Sequence, residues 1–267
     1  MITRIGGKRV FPIGVGTWRM GGGAIFVDRS RDEQEIKALK FALDNKINLL
    51  DTAELYGKGH AEELVGQAIK GRDREKLFII SKVFLNNMSY KRTIDACRNS
   101  LKRLNTKYID LYLIHWPNPL ARMYETIRAM ETLIDNGLIR SMGVSNFEVK
   151  AMKEAMFYTK RHSITANEIS YSVMRKEPEQ DIIPFCKRNG IAVIAHTPLA
   201  QGRAMQMREV VEIAAKYRKK PVQVALNYLL KNSLPIPKAS NPKHIRDIVG
   251  SVGWTMKNED YETLKAA

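Results

Sequence analysis

No run of ~18 consecutive apolar residues, the length a membrane-crossing helix needs, occurs anywhere in the 267-residue sequence. The opening MITRIGGKRVF is too polar for the apolar stretch of a secretory signal. A cytoplasmic compartment with no membrane partner is the expectation. Cysteine is nearly missing: Cys97 and Cys186 are the only two, with neither a nearby partner nor a histidine at ligand spacing, so neither a disulfide framework nor a metal site is expected. Glycine is placed wrongly for the familiar phosphate loops. Gly14-Val15-Gly16 is followed by Thr17, Trp18 and Arg19, so G-x-G-x-x-G fails at its last glycine, and no glycine loop leads into G-K-[ST]. Internal repeats, low-complexity tracts and linkers are also lacking, and residues 1–267 are expected to form a single domain.

Acidic residues are in short supply. Against 44 Lys and Arg stand 28 Asp and Glu, for a formal charge of +16. Such a charge attracts polyanions or an anionic small molecule. The cations are scattered through most helical segments and no recognition motif accompanies them, so a solvated basic surface is expected and no nucleic-acid partner. Strongly salt-dependent nucleic-acid binding is the outcome that would reverse this reading.

What the chain does have is alternation. Short β-branched runs hand over repeatedly to longer segments of helical period, the pattern of parallel βα units. The strand candidates number eight: Ile13 to Gly16, Ile47 to Asp51, Leu77 to Lys82, Ile109 to His115, Ile139 to Ser145, Ile164 to Ile169, Ile191 to Ala195 and Leu234 to Pro237. Between them, Met123, Ile127, Met130 and Ile134 share a helical face that stops at Asn136-Gly137. Ile36, Leu39 and Leu43 form another stripe, with Ser30 and Glu33 spaced as a capping box. Lys220-Pro221 and Asn241-Pro242 put proline at a first helical position. Eight strands suit an open doubly wound sheet or a closed barrel. The missing dinucleotide fingerprint and a length close to the usual ~250 residues favour a (β/α)8 TIM barrel. A short N-terminal hairpin around Lys8 to Pro12 is expected to close the barrel bottom.

Three successive strands end alike: Ile47 and Leu49 lead to Asp51, Phe78 and Ile80 to Lys82, and Ile109, Leu111 and Leu113 to His115. Side chains alternate across a strand, so each polar residue shares a face with the apolar residues before it and lies at the C-terminal end, where barrel enzymes carry their sites. Singly, Asp51 reads as a helix cap, Lys82 as a solvated strand end and His115 as a satisfied core histidine. Together they bring an acid, a base and an imidazole to one mouth, where buried charges must be paired or used.

LLDTAELYG at 49–57, FIISKV at 78–83, LYLIHWP at 111–117 and GVSNF at 143–147 resemble, in order and spacing, the motifs of the aldo-keto reductases. GVGTW at 14–18 and IAHTPLAQG at 194–202 are similar as well, so the resemblance covers nearly the whole chain. It implies NADPH-dependent, reversible reduction of a small-molecule carbonyl by a monomeric enzyme, with Asp51, Tyr56, Lys82 and His115 as a catalytic tetrad. Tyr56 is the implied acid. A free phenol with a pKa of ~10 is a weak donor at neutral pH, and the Lys82 ammonium, oriented by Asp51, is expected to lower that value. His115 positions the carbonyl oxygen.

The same resemblance implies that Ser145, Asn146 and Glu168 meet the nicotinamide amide, Glu168 standing where glutamine is usual. An ionised carboxylate there accepts but does not donate. His196 falls where a tyrosine commonly stacks on the nicotinamide, with pH dependence expected of an imidazole, and Pro198 and Leu199 follow it in the same cofactor loop. Toward the end, IPKASNPKHIRD at 236–247 resembles the segment gripping an adenosine 2′-phosphate, through Lys238, Ser240, Asn241 and Lys243. His244 replaces a usual arginine and removes a bidentate donor. Arg246 is the expected compensation. NADP(H) is therefore favoured and NAD(H) stays possible. Trp18 and Trp116 are implied pocket walls, and the short stretch after Asp247 implies an open site. Two other activities stay open: a Schiff-base lyase using Lys82 as nucleophile, and a non-catalytic, cofactor-binding regulatory member of the family.

Overall fold

In the computed structural model, described over residues 1–24 and 26–267, the strand candidates all form, with ends shifted by a residue or two. After a hairpin of β1 (Arg4–Ile5) and β2 (Lys8–Arg9) come β3 (Val15–Gly16), β4 (Leu49–Asp51), β5 (Phe78–Val83), β6 (Ile109–Ile114), β7 (Ile139–Ser145), β8 (Ile164–Ser170), β9 (Ala192–His196) and β10 (Leu234–Pro235). Strands β3 to β10 lie parallel and side by side in chain order. The ring closes where Gly14 N donates to Pro235 O (3.0 Å) and Gly16 N to Pro237 O (3.2 Å). This is the expected (β/α)8 barrel.

The helices are α1 (Asp32–Asp44), α2 (His60–Ile69), α3 (Tyr90–Leu104), α4 (Met123–Asp135), α5 (Val149–Tyr158), α6 (Ile182–Arg188), α7 (Arg208–Lys216), α8 (Pro221–Leu229), α9 (Pro242–Val249) and α10 (Asn258–Ala266). None among the described residues is long and apolar enough to cross a membrane.

Strand parity divides the core in two. Leu49, Phe78, Ile80, Leu111, Leu113, Ala166, Ile194, Leu234 and Ile236 fill the barrel interior. Their neighbours of opposite parity, among them Leu50, Ile79, Tyr112, Ile114 and Val193, pack under the helices. With both faces covered, these strands are buried on both sides and predominantly apolar, with a few polar residues such as Asp51, Lys82 and Glu168 set among them. The hairpin turns at Gly6-Gly7, both left-handed (φ +54° and +79°), a demand that glycine meets without Cβ strain. Its flanking Ile5 and Val10 enter the interior cluster as a plug. Lys8 latches that plug: Nζ donates to Asp110 Oδ1 (2.7 Å) and to Leu77 O (2.6 Å).

Helix α4 buries Met123, Ile127 and Met130 and ends as expected at Gly137 (φ +70°), while Pro221 and Pro242 open α8 and α9. The capping box at Ser30 does not form. Arg31 is the N-cap of α1 and no side chain caps it. Ser30 instead donates from both N and Oγ to Asp28 Oδ1 (2.9 and 2.6 Å), a carboxylate two residues back being the stronger and nearer acceptor. Helix α10 lies on the outer ring against α7, tied by Lys216 Nζ and Tyr217 OH to the Asp260 carboxylate.

Candidate active site

The ends of β4, β5 and β6 bring together what strand parity promised. Asp51 pairs in register with Ile80 and Lys82 with Leu113, so each polar residue lies one side-chain layer above the previous one. Lys82 is fully buried; Asp51 and His115 are each 2% exposed. The Lys82 ammonium donates to Asp51 Oδ1 and to Thr52 O (3.2 Å) and stands 3.3 Å from Glu168 Oε2. Thr17 fixes the strand end from β3, its N and Oγ1 donating to Asp51 O at 2.9 and 3.0 Å.

Tyr56 arrives from the loop after β4 on a tight turn, Tyr56–Gly59, where Gly57 and Lys58 are left-handed (φ +55° and +52°). Gly57 N donates to Gly23 O (2.7 Å), and a Cβ on Gly57 would stand 2.5 Å from Gly21 O. The turn is thus wedged against the 21–23 loop. It holds the Tyr56 ring 5.3 Å from Lys82 Nζ and 5.7 Å from the His115 ring. Both tryptophans belong to this mouth: Trp18 meets Tyr56 edge-on at 4.9 Å, and Trp116 stacks on His115 at 4.2 Å. Each is about two-fifths exposed, which sets aside simple core packing. Phe84 adds an edge contact to His115 at 6.1 Å, a wall the sequence did not single out.

The electrostatics differ from expectation at Tyr56. Burial raises its phenol well above the ordinary value; Lys82 pulls it down only in part, and Asp51 and Glu168 push it up. The phenol therefore keeps its proton across the neutral range. Burial opposes charge on Lys82, yet Asp51, Glu168 and Tyr56 outweigh it and hold the ammonium above its usual range. His115 is lowered to about 2 by burial and by Lys82 and His196, so its imidazole is neutral. His196 is likewise lowered to about 4, by burial and then by Lys82 and Arg175, which removes the pH response near neutrality expected of it. Glu168 is raised to about 8, by burial and the Asp51 carboxylate against the pull of Lys82.

On the adjoining strands Asn146 is the junction. Held left-handed (φ +61°) by its N–H to Glu168 O (2.7 Å), it donates from Nδ2 to His115 O (3.2 Å) and Ser145 Oγ (3.0 Å). His196 Nε2 pairs with Asn146 Oδ1 (2.9 Å), which assigns that proton to Nε2. Two buried atoms here make no hydrogen bond, His115 Nδ1 and Glu168 Oε2. Pro198 and Leu199 follow in a loop whose Thr197, Ala200 and Gln201 are left-handed. That loop borders a groove of about 550 Å³ containing Arg175 and Arg203.

The segment after β10 is partly engaged with the protein itself. Lys238 Nζ donates to Arg19 O (3.0 Å), and Asn241 Oδ1 caps α9 by accepting from His244 N (2.9 Å). Lys243 and His244 are exposed. Arg246, the expected compensation for the missing arginine, lays its guanidinium over the Phe41 ring of α1 at 5.1 Å. Arg31 comes nearer instead, reaching Ser240 Oγ at 3.4 Å beside a Gln34 bond to Ser240 O (3.0 Å). Arg31, Arg175 and Arg203 carry no spacing signal among 44 scattered cations, so only folding reveals them.

The site as built can hold a proton at Tyr56, a fixed ammonium beneath it and a neutral imidazole beside it. Known proteins resemble this chain in sequence and in fold. Methylglyoxal reductase YeaE of Escherichia coli (strain K12) is 38% identical over 241 residues, 88% of this chain and 82% of the relative. Glyoxal reductase of Bacillus subtilis (strain 168) is 33% identical over 92% of this chain and 87% of its own. Among solved structures, the thermostable aldo-keto reductase Tm1743, complexed with the inhibitor epalrestat, superposes with a TM-score of 0.94 at 37% identity, covering 100% of this chain and 99% of that one. An aldo/keto reductase from Klebsiella pneumoniae, in complex with NADP and acetate, gives 0.90 at 32% identity over 99% and 94%. With the model of the aldo/keto reductase family matching residues 12–267, the chain belongs to that family.

Proposed function

We propose that this protein reduces aldehydes or ketones to alcohols, reversibly, with NADPH as the hydride donor and Tyr56 as the proton donor. The observation that carries the reading is the buried Tyr56 phenol at the barrel mouth, 5.3 Å from the Lys82 ammonium and walled by Trp18, where burial favours its protonated form. Bound there, a reduced nicotinamide supplies hydride to the carbonyl carbon. Negative charge then gathers on the carbonyl oxygen, and Tyr56 delivers a proton to it. Lys82 stabilises the phenolate left behind, and Asp51 fixes Lys82. His115, neutral, offers one N–H to the same oxygen without repelling the cationic Lys82.

The residues present fit a nicotinamide amide. His115 Nδ1 and Glu168 Oε2 are buried without a hydrogen-bond partner beside the Ser145–Asn146 pair, a mixed set of donors and acceptors that suits one. Lys238, Ser240, Lys243 and Arg31 suit a 2′-phosphate, and Arg175 with Arg203 suits a diphosphate. The names of the relatives point to small 2-oxoaldehydes as the first substrates to try.

A Schiff-base lyase is disfavoured, since an amine nucleophile needs a depressed pKa and Lys82 is held the other way by a buried ion pair. The decisive experiment follows NADPH consumption with methylglyoxal and a panel of aldehydes, with NADH as control. Tyr56→Phe is expected to keep cofactor binding and lose roughly 10²–10⁴-fold in kcat. Unchanged turnover in that variant would remove Tyr56 from the mechanism, and no turnover by the wild type on any carbonyl would favour a regulatory role.

A further inference from the structure

We propose that Asp51 and Glu168 share one proton around Lys82, and that the state of Glu168 sets the charge of the site and hence its relative hold on oxidised and reduced nicotinamide. The second half rests on the cofactor reading above; the first does not.

Three ionisable side chains from β4, β5 and β8 meet inside the barrel, with Asp51 and Glu168 2% exposed and Lys82 not exposed at all. An ammonium has three donors. One goes to Asp51 Oδ1 and one to Thr52 O, while Glu168 Oε2, 3.3 Å away, lies outside hydrogen-bond geometry and has no other partner. Asp51 has therefore taken the ammonium. Glu168 is left facing a cation already neutralised and a carboxylate of its own sign.

The other groups around it bring no compensating charge. Tyr56 keeps its proton, His115 just after β6 and His196 of β9 are neutral, and the strand neighbours of Glu168 are Ser145 and Ile194. Arg175 acts on His196 and is not among the charges that move Glu168. Ionising both carboxyls would leave a net negative charge in a water-poor interior, a situation that retains one proton on the pair. The raised Glu168 titration, near 8, agrees with that geometry.

A glutamine at this position would offer a fixed N–H donor. Protonated Glu168 offers an O–H donor of similar reach, so the carboxyl does the amide's work while it holds its proton. When Glu168 ionises, the Asp51–Lys82–Glu168 group passes from neutral to singly negative. A nicotinamide ring is positively charged only in its oxidised form, so the negative site favours that form over the reduced one. It also raises the Tyr56 phenol further and weakens it as a donor, so alkaline pH opposes carbonyl reduction.

Two measurements on the full chain test this, comparing the wild type with Glu168→Gln. In the ligand-free protein, infrared titration is expected to show the carbonyl stretch of a protonated buried carboxyl that persists at about pH 6–7, fades by about pH 9 and is missing in the variant. Tryptophan fluorescence quenching by NADP+ and by NADPH then gives the ratio of their dissociation constants. In the wild type it should move roughly tenfold toward NADP+ between about pH 6 and pH 9, and in Glu168→Gln it should stay flat. A wild type without the infrared band at neutral pH overturns the shared proton. With the band present, identical ratio profiles in the two proteins overturn the link to cofactor charge. Failure of both nucleotides to bind overturns the cofactor reading itself, whatever the infrared result.

Discussion

Lys82 is the residue on which the buried charges depend. Its removal leaves Asp51 and Glu168 together in the barrel with no cation between them. Breaking a buried pair by deleting one partner costs about 3–5 kcal/mol, because the remaining charge is uncompensated. Lys82→Met is expected to lose stability on that scale by urea unfolding. The sign with pH follows from the raised carboxyls: protonated, they are tolerated, so the loss grows as pH rises through their folded-state values and shrinks in acid. A variant equally stable at acid and alkaline pH would contradict it. At this scale the sequence was informative in proportion to locality. Asp51, Lys82 and His115 were legible because strand parity alone brings them to one mouth. Tyr56 sits in a loop with no periodicity and was reached only through resemblance. Its raised phenol was not legible, since the outcome depends on how deeply Asp51, Lys82 and Glu168, from three different strands, are buried together.

Among the elements, the turn carrying Tyr56 has the narrowest tolerance. Gly57→Ala would strain a left-handed backbone and press a methyl group on the Gly21 carbonyl, so the turn must move and take the phenol with it. The expected result is a fall of at least about tenfold in kcat with a stability loss of only about 1–2 kcal/mol, since the barrel core is untouched. Full activity in Gly57→Ala would mean that the wedge against residues 21–23 does not position Tyr56. Strands and helices were readable because apolar period and proline placement are local signals, as in α4 and α8. The start of α1 was not. Ser30 and Glu33 have capping-box spacing, but Asp28, two residues upstream, competes for the serine. A spacing rule does not weigh that competition.

For the molecule as a whole, opposing titrations bound the stable pH range. His115 and His196 are held far below their usual 6.5, so the stability they contribute is present above 6.5 and is lost as pH falls toward 4 for His196 and 2 for His115. Glu168 acts in reverse: its folded value is raised from 4.5 to about 8, so stability is lost as pH rises through that window. Thermal midpoints should peak at mildly acidic to neutral pH. His196→Gln should flatten the acid limb between 6.5 and 4 and leave the alkaline limb unchanged; a variant with the wild-type acid limb would contradict this. The barrel itself was the most legible feature, since eight strands at regular intervals leave few topologies. The cations proposed to hold the cofactor's phosphates were the least, because Arg31, Arg175 and Arg203 meet their neighbours only across elements distant in the chain.

The hairpin at the barrel bottom bears on all of this from the far end. Ile5 and Val10 stopper a column of apolar side chains at whose top Asp51, Lys82 and Glu168 titrate. Without the stopper, water would climb that column and solvate the carboxyls from below. The peculiar acidities of the mouth would relax toward those of ordinary surface groups. The first ten residues, which touch none of the reacting atoms, are in this sense the insulation of the catalytic circuit.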